Sequence, residues 1–326
     1  MKAMLTVNEE LVWSEVEKCS PKDDEVLIKI YAAGVNRADL LQRLGKYPSP
    51  AGCPEWMGLE VAGTVEGIGS NVKQYKVGDR VCALLGGGGY AEYVCVTEGM
   101  VMPVPKGLSL EKAASLPEAF ATSYLNLFIE GHLEEGQTAY IPAGASGLAS
   151  AAIPLAKAFG ARVVTSVRED GIKEKISSLN ADVILNSETD DLPEFFKSEE
   201  LAGRAPSVAM DCLSGISLGE CLPYMARGGY WVVISTLAGI ETNVLLRPLL
   251  TKGLHLVGSM LRNRTPKQKT EILAELVNKV WPKIESGQLN PCIYKVLPIV
   301  NAREAHAILE RNENVGKVVL KIRDEE

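Results

Sequence analysis

Short apolar runs, separated by glycine and proline, fill the first third of the chain. Val26–Tyr31, Val61–Gly69, Val77–Val81 and Ala91–Val96 have the branched and aromatic composition that is typical of β-strands. The helix predicted among them is Arg37–Arg43. Closely spaced short strands with little helix predict an irregular β-barrel.

From about Leu116 the apolar runs alternate with helical stretches. Helices are predicted over Gly144–Phe159, which Gly160 ends, and over Gly171–Leu179. The predicted strands are Thr138–Ile141, Arg162–Val167, Asp182–Leu185, Ser207–Cys212 and Tyr230–Ser235. Apolar strands that alternate with helices predict a parallel sheet covered on both faces, which is the doubly wound arrangement.

The C-terminal part is predicted to contain a long amphipathic helix, Thr265–Ile284. Strands at Tyr294–Pro298 and Lys317–Leu320 follow, with a helix at Ala302–Glu310 between them. Two strands and a helix are too few to bury a core of their own. We therefore expect this part to join the N-terminal β-domain.

The length of 326 residues fits two domains in an α/β protein. We place a β-barrel domain at residues 1–117 and 259–326 and a doubly wound domain at residues 118–258. With 46% hydrophobic and 23% charged residues, the chain has enough apolar surface for two cores. The sequence shows no apolar run long enough to cross a membrane and no signal-peptide pattern at its N-terminus.

Charge, cysteine and histidine usage narrow the function. The net charge of −7 disfavours nucleic acid as a partner, because phosphate binding needs a basic face. The seven cysteines include no Cys-x-x-Cys pair, so we expect reduced thiols and a cytoplasmic protein. His132, His255 and His306 follow no metal-binding pattern, so no metal site is predicted.

A loop of small residues after the strand Thr138–Ile141 is the sharpest candidate site. It reads Gly144-Ala145-Ser146-Gly147-Leu148-Ala149, against the dinucleotide-binding pattern Gly-x-Gly-x-x-Gly/Ala. Gly144 would make the tight turn, and Ala149 would allow the helix to pack closely on the strand. Ser146 and Gly147 would let a pyrophosphate approach the helix N-terminus. The middle glycine of the pattern is missing, and a tight turn without a ligand is the alternative.

The end of the strand Arg162–Val167 bears on which nucleotide binds. NAD enzymes place an acid there for the ribose diol, whereas this strand is followed by Arg168. A cation favours the 2′-phosphate, so we predict NADPH as the cofactor. Two alternatives stay open: Glu169 or Asp170 folds back to the ribose, or Arg168 is an ordinary exposed cation.

Six segments, in order along nearly the whole chain, carry a family resemblance. They are Ala33–Asp39, Gly45–Pro48, Gly58–Val65, Gly88–Tyr93, Glu304–His306 and Asn314–Leu320. With these segments the chain resembles the medium-chain dehydrogenase/reductase superfamily and, within it, the zinc-independent quinone oxidoreductases related to zeta-crystallin. The resemblance implies a GroES-like catalytic domain, a Rossmann domain and a nicotinamide bound between them. It also implies a homodimer formed near Leu237–Leu250, at the edge of the Rossmann sheet.

Zinc-dependent relatives differ from this chain at the ligand positions. They have a cysteine early in the first of these segments and a histidine before the glutamate of the third. This chain has Asn36 and Leu59 at those places, and it lacks the cysteine-rich zinc lobe. Without thiolate or imidazole ligands a tetrahedral zinc site is not expected.

The resemblance also assigns catalytic residues. Tyr47 would donate a hydrogen bond or proton to the substrate. Asn36 would hydrogen-bond near the nicotinamide ribose or the substrate, and Asp39 would orient Asn36 or Arg43. The alternatives are a Tyr47 that only lines the cleft, and an Asn36 and Asp39 that are polar cap residues of the helix Ala38–Arg43.

Further cofactor contacts are expected outside the glycine loop. Gly86–Gly89 is either a point of close backbone approach or a mobile lid. The predicted additional cofactor contacts are Ser187, Ser235, Thr236, Leu261 and Lys317.

These observations predict an NADPH-dependent, zinc-free quinone oxidoreductase with a small-molecule substrate. A quinone accepts electrons readily, so no Lewis acid is needed. One alternative is an NADPH-dependent reductase of α,β-unsaturated carbonyls or enoyl thioesters. For it, a basic rim would suit coenzyme A, formed by Arg262, Arg264, Lys267 and Lys269. The other alternative is a non-catalytic NADPH-binding protein.

Overall fold

The computed structural model describes residues 1–325. The chain forms two compact units. Residues 1–121 and the segment from Arg264 onward make the first unit, and Thr122–Asn263 make the second. The predicted domain boundaries, at 117/118 and 258/259, lie a few residues before these divisions and stay a prediction.

The secondary structure consists mostly of short strands and helices. The strands are β1 (Lys2–Val7), β2 (Glu10–Glu15), β3 (Glu25–Gly34), β4 (Glu60–Ile68), β5 (Arg80–Leu84), β6 (Tyr93–Thr97), β7 (Val101–Pro103), β8 (Thr138–Ile141), β9 (Arg162–Val167), β10 (Val183–Asn186), β11 (Pro206–Asp211), β12 (Tyr230–Val233), β13 (His255–Gly258), β14 (Ile293–Pro298) and β15 (Lys317–Lys321). The α-helices are α1 (Arg37–Arg43), α2 (Leu110–Ala113), α3 (Pro117–Tyr124), α4 (Ala149–Ala158), α5 (Asp170–Lys175), α6 (Leu192–Leu201), α7 (Ile216–Cys221), α8 (Leu246–Lys252), α9 (Pro266–Glu275), α10 (Trp281–Glu285) and α11 (Ala302–Glu310). Two π-helical turns, Leu125–Ile129 and Leu276–Val280, continue α3 and join α9 to α10.

The first unit is built on a mixed sheet in the order β14-β15-β3-β4-β5-β7, with β6 also paired to β3. The C-terminal strand β15 runs antiparallel to β3, and Leu320 lies opposite Ala33. The predicted return of the C-terminal part to the β-domain is therefore confirmed. Val26, Ile28 and Ile30 of β3 are fully buried in the core of this unit.

The second unit is built on a six-stranded sheet in the order β10-β9-β8-β11-β12-β13, with all neighbouring strands parallel. From β8 the chain adds β9 and β10 on one side and then returns to add β11, β12 and β13 on the other. The strand order therefore reverses between β8 and β11, and α/β proteins bind ligands at the carboxyl edge beside such a switch point. This Rossmann-like sheet, with the separate mixed sheet, confirms the predicted fold class.

Some elements differ from the prediction. The helix predicted from Gly144 begins at Ala149, because residues 144–148 form the turn that leads into it. The long helix predicted over Thr265–Ile284 contains a π-helical turn just before Pro282, whose ring nitrogen has no hydrogen to donate. The prediction also lacks the hairpin β1–β2 and the short edge strand β13.

A disulfide joins Cys19 and Cys95, whose Cα atoms lie 6.2 Å apart. It ties the loop between β2 and β3 to β6, which itself pairs with β3. The other five cysteines, all among the described residues, form no disulfide. The expectation of reduced cysteines is therefore wrong for this pair, because pairing across 76 residues depends on tertiary proximity that sequence spacing does not reveal.

Candidate active site

The turn between β8 and α4 lies at the carboxyl edge of the parallel sheet. Ala143 has a left-handed backbone with φ 54°, and the Gly144 N–H donates to the Ser166 carbonyl at 2.8 Å. A Cβ on Gly144 would lie 2.6 Å from Thr165 Oγ1. That hydroxyl is fixed, because it donates to the Ile141 carbonyl at 2.6 Å. The close approach of Thr165 therefore favours glycine at this position.

Small residues lead from this turn into α4. The Ala149 N–H donates to Ser146 Oγ at 3.1 Å, while the N-cap residue Leu148 makes no side-chain capping bond. Ala145 and Gly147 are half-buried. The N–H groups at a helix N-terminus attract anions, and small side chains let a phosphate come close to them. The N–H groups of Gly144, Ser146 and Ala149 already donate within the protein, and a pyrophosphate contact of residues 144–149 stays a prediction.

The tip of β9 carries charges of both signs. Arg168 is exposed. The Asp170 carboxylate lies 2.8 Å from Lys173 Nζ and accepts a hydrogen bond from Asn186 Nδ2 at 3.2 Å. These two partners, Lys173 first, hold the pKa of Asp170 below its usual range. Lys173 is missing from the sequence-based site, although its position three residues after Asp170 on a helix was a usable signal.

The other cofactor residues predicted in the second unit follow strands of the same sheet. Ser187 comes after β10, and its N–H donates to the Val167 carbonyl at 2.8 Å. Ser235 and Thr236 come after β12, and buried Leu261 comes after β13. The carboxyl ends of parallel strands lie at one edge of a sheet. The structure therefore places these residues at the same edge as the turn before α4.

Asp211, which was not predicted as a site residue, holds two loops together at this edge. Its buried carboxylate accepts hydrogen bonds from Trp231 Nε1 at 2.8 Å and from the N–H groups of Leu213 and Ser214 at 2.8 and 2.9 Å. Ser214 Oγ in turn donates to the Ser235 carbonyl at 2.8 Å. An acidic residue at the end of an apolar strand was the available signal in the sequence.

Three residues of the first unit, Asn36, Glu60 and Lys317, form a polar cluster around a buried ion pair. Lys317 Nζ lies 2.6 Å from Glu60 Oε1 and donates to Asn36 Oδ1 at 2.7 Å and to the Val35 carbonyl at 3.0 Å. Asn36 Nδ2 donates to Glu60 Oε1 at 3.0 Å. The side chains of Glu60 and Lys317 are 0% and 5% exposed. All three N–H groups of the ammonium therefore have protein partners, and the predicted cofactor contact of Lys317 stays a prediction.

Asp39 is fully buried beside this cluster. Its carboxylate accepts the N–H groups of Asn36 and Gly58 at 2.8 and 3.1 Å and the hydroxyl of Tyr90 at 3.2 Å. Burial raises the pKa of Asp39 to about 6, although these hydrogen bonds oppose the change. His306 Nε2 lies 3.3 Å from the Tyr90 oxygen, and burial lowers the pKa of His306 to about 3. Asp39 thus holds the backbone of Asn36, while its role in the reaction stays a prediction.

Tyr47 is half-buried on the loop between α1 and β4. Gln42 Nε2 fastens this loop by donating to Ser49 Oγ and to the Glu55 carbonyl, both at 2.8 Å. In Gly86–Gly89, a Cβ on any of the first three glycines would lie 2.5 to 2.8 Å from atoms of the loop. Of the two interpretations of Gly86–Gly89, close backbone approach is therefore the one that the packing favours.

Neither a metal centre nor a membrane-spanning helix accompanies these sites. Across residues 1–325, no three His, Cys, Asp or Glu side chains come together as ligands for a metal ion. Within the same residues, no helix combines the length and the apolar character that a membrane crossing needs.

Comparison with known proteins identifies the class. The profile of the alcohol dehydrogenase GroES-like domain matches residues 22–106, and that of the zinc-binding dehydrogenases matches residues 147–279. A quinone oxidoreductase of Sus scrofa is 30% identical over 310 residues, which cover 94% of this chain and 92% of that protein. The chain therefore belongs to the medium-chain dehydrogenase/reductase superfamily. Within it, the chain belongs to the quinone oxidoreductase-like family.

Solved structures share the whole fold. A mycobacterial quinone oxidoreductase superposes with a TM-score of 0.83 at 27% identity, over 99% of this chain and 100% of that one. The enoyl reductase CurK superposes with a TM-score of 0.82 over 98% of both chains, but at 24% identity it shows the fold alone. The protein is thus an oxidoreductase of a superfamily that binds nicotinamide cofactors and acts on small molecules.

Proposed function

We propose that this protein is an NADPH-dependent, zinc-free quinone oxidoreductase. The observation that carries the proposal is the charge at the tip of β9, where Arg168 is exposed and Asp170 is bound by Lys173 at 2.8 Å. NAD enzymes use an acid near this place for the ribose diol. Here Asp170 has a cationic partner in Lys173, and Arg168 is exposed beside the likewise exposed Glu169. The two cations, Arg168 and Lys173, suit a 2′-phosphate. The pig quinone oxidoreductase, similar over 94% of this chain, supports the class of acceptor.

The second unit would hold the cofactor along its carboxyl edge. The turn 144–149 would bind the pyrophosphate, and Arg168 with Lys173 would bind the 2′-phosphate. When bound, NADPH would supply the hydride, and the protein would orient it and exclude water. The remaining proposed contacts are Ser187, Ser235, Thr236 and Leu261.

The first unit would supply the polar groups for the substrate. Tyr47 would donate a hydrogen bond to the substrate oxygen, since a phenol is protonated at neutral pH. Asn36 would be a second contact, and Asp39 would hold it in place. No zinc would be needed, and the ammonium of Lys317 already provides the cation next to Glu60, at 2.6 Å.

The loss of nicotinamide absorbance tests the proposal, with purified protein, a simple quinone, and NADPH or NADH. We expect faster oxidation of NADPH. Equal rates would refute the cofactor preference, and no oxidation with either cofactor would refute quinone reduction. Tyr47→Phe should lower kcat roughly 10-fold, the worth of one hydrogen bond to a developing charge. Tyr294→Phe, on the edge strand β14, is the matched control and should leave kcat unchanged.

We also propose a homodimer formed at the β13 edge of the Rossmann-like sheet. The edge strand is His255–Gly258 and not, as predicted, the segment Leu237–Leu250, which forms the loop after β12 and most of α8. In that segment Ile240, Leu246 and Leu250 are 84%, 72% and 82% exposed, and exposed apolar side chains that cluster mark interaction sites. Light scattering should give twice the chain mass for the wild type and the chain mass for a Leu246→Glu/Leu250→Glu variant. Leu201→Glu, at an equally exposed site on α6, should stay dimeric. A monomeric wild type would refute the dimer.

A cytoplasmic location completes the proposal. It is supported by the five cysteines that form no disulfide. The Cys19–Cys95 disulfide is unusual for a reducing compartment. Subcellular fractionation tests the location, and recovery of the protein outside the cytoplasmic fraction would refute it.

A further inference from the structure

The carboxamide of Asn36 has a charged partner at each end. Its oxygen accepts a hydrogen bond from the Lys317 ammonium at 2.7 Å, and its nitrogen donates to the Glu60 carboxylate at 3.0 Å. Rotating the amide by 180° would place its N–H groups against the ammonium and its oxygen against the carboxylate. Both contacts would then be repulsive in a buried setting, where charge interactions are strong. The cluster therefore selects one of the two amide orientations.

Glu60 is itself fixed from several sides. Besides the ammonium of Lys317, its second carboxylate oxygen accepts the N–H of Glu118, in the first turn of α3, at 2.9 Å. Gly34 packs directly on it, because a Cβ there would collide with the Glu60 carboxylate and lie 2.7 Å from the Ala114 carbonyl. The carboxylate that orients Asn36 therefore has little freedom to move.

One N–H of Asn36 is not used by these bonds. An amide nitrogen has two hydrogens, and Glu60 is the acceptor that the structure gives for one of them. Since Asp39 holds the backbone of the same residue at 2.8 Å, the direction of the second N–H is set by the cluster. A fixed donor of this kind is suited to bind an oxygen that gains charge during a reaction.

We propose that Glu60 and Lys317 are positioning residues, which fix the Asn36 carboxamide so that its second N–H donates to an oxygen of the substrate or cofactor. This inference rests on the proposed function, because it takes Asn36 to be a site residue. It gives Lys317 a role through Asn36 instead of a direct cofactor contact. The charges act by selecting the orientation of the amide and take no part in proton transfer.

The test compares single and double variants that keep the shape of the pair. Glu60→Gln and Lys317→Met each leave one buried charge without its partner, whereas the double variant is neutral. The double variant should recover most of the melting temperature that the single variants lose. Its kcat should stay about 10- to 100-fold below wild type, because the amide is no longer held by charge. The KM for NADPH should rise as well only where the oxygen that accepts the second N–H belongs to the cofactor.

A purely structural role predicts a different pattern. If the double variant regains both melting temperature and kcat, the positioning role is refuted. Glu199→Gln is the control: Glu199 pairs with Arg162 and Arg204 in the second unit, both at 2.7 Å, and its side chain is 6% exposed. It should lower the melting temperature without lowering kcat.

A measurement on the wild type covers the case in which the variants do not fold. The 15N relaxation order parameter of the Asn36 side-chain amide should be near the backbone value of about 0.85, and a value below about 0.6 would refute the fixed orientation. The outcomes also separate the two proposals. Absence of turnover by the wild type with any acceptor refutes the proposed function and, with it, the positioning role. Normal wild-type turnover with normal kcat in the double variant refutes positioning alone.

Discussion

Replacing Arg168 by alanine is expected to weaken NADPH binding and to leave NADH binding unchanged. The residue follows β9 directly and its side chain is exposed, so alanine removes a cation without opening a cavity. NADPH and NADH differ by the 2′-phosphate alone. A change confined to NADPH therefore reports on the contact between this guanidinium and that phosphate.

The surroundings of Arg168 set the size of the effect. Because the guanidinium is exposed, solvent screens its attraction for the phosphate to about 1 kcal/mol or less, and we expect the Kd for NADPH to rise up to about 5-fold. Replacing Lys173 should change the two affinities differently, since its Nζ lies 2.8 Å from an oxygen of Asp170 and 3.9 Å from an oxygen of Asp190. Lys173→Ala removes a cation and also leaves the Asp170 carboxylate without its ion-pair partner. NADPH should then bind more weakly and NADH more tightly.

Calorimetric titration of both cofactors, at low and high salt, would measure these changes. The loss in Arg168→Ala should shrink at high salt, because ions screen the contact that the wild type gains. Lys175→Ala, also exposed and on α5, is the matched control and should bind both cofactors as the wild type does. An equal loss of NADPH and NADH affinity in Arg168→Ala, or no loss at all, would refute the reasoning.

Buried groups give three predictions about stability. Burial raises the pKa of Asp39 in the folded state from an ordinary 3.8 to about 6. The contribution of protonated Asp39 to the free energy of unfolding is therefore complete below pH 3.8 and is lost as the pH rises through 6. The expected loss is about 3 kcal/mol. Urea unfolding across that range should show the decline in the wild type, and an equal decline in Asp39→Asn would contradict the assignment. Asp211→Asn should lower the free energy of unfolding by about 2 kcal/mol, because an amide N–H would face the Trp231 N–H. Adding Trp231→Phe should recover part of this loss, and no recovery would argue against the Asp211–Trp231 contact. Cys19→Ser should lower the free energy of unfolding by about 4 kcal/mol, because the unfolded chain gains the entropy of an open loop spanning 76 residues. A reductant should lower the denaturation midpoint of the wild type by the same amount, and unchanged midpoints would speak against the disulfide with Cys95.

The elements that could be predicted are those in which neighbouring residues decide the structure. The helix Ala302–Glu310 and the strand Arg162–Val167 lie at the residues predicted for them. The turn before α4 was also readable, because in a βα unit the strand, the tight glycine and the helix N-terminus follow one another within about a dozen residues. A local pattern therefore contained most of the information about the proposed nucleotide site of the second unit.

The cluster in the first unit depends on contacts that no local pattern contains. Motif matching named Asn36 and Lys317 separately, but their connection through Glu60 exists because β15 lies along β3, with Val319 opposite Gly34. Lysine and glutamate are rarely buried unless they are paired, so neither residue alone predicts its own burial. Gly34 was the local sign that could have been used, since a glycine at the end of an apolar strand marks a place where another group comes close. Here that group is the carboxylate of Glu60. The position of this carboxylate determines the chemical surroundings of Asn36.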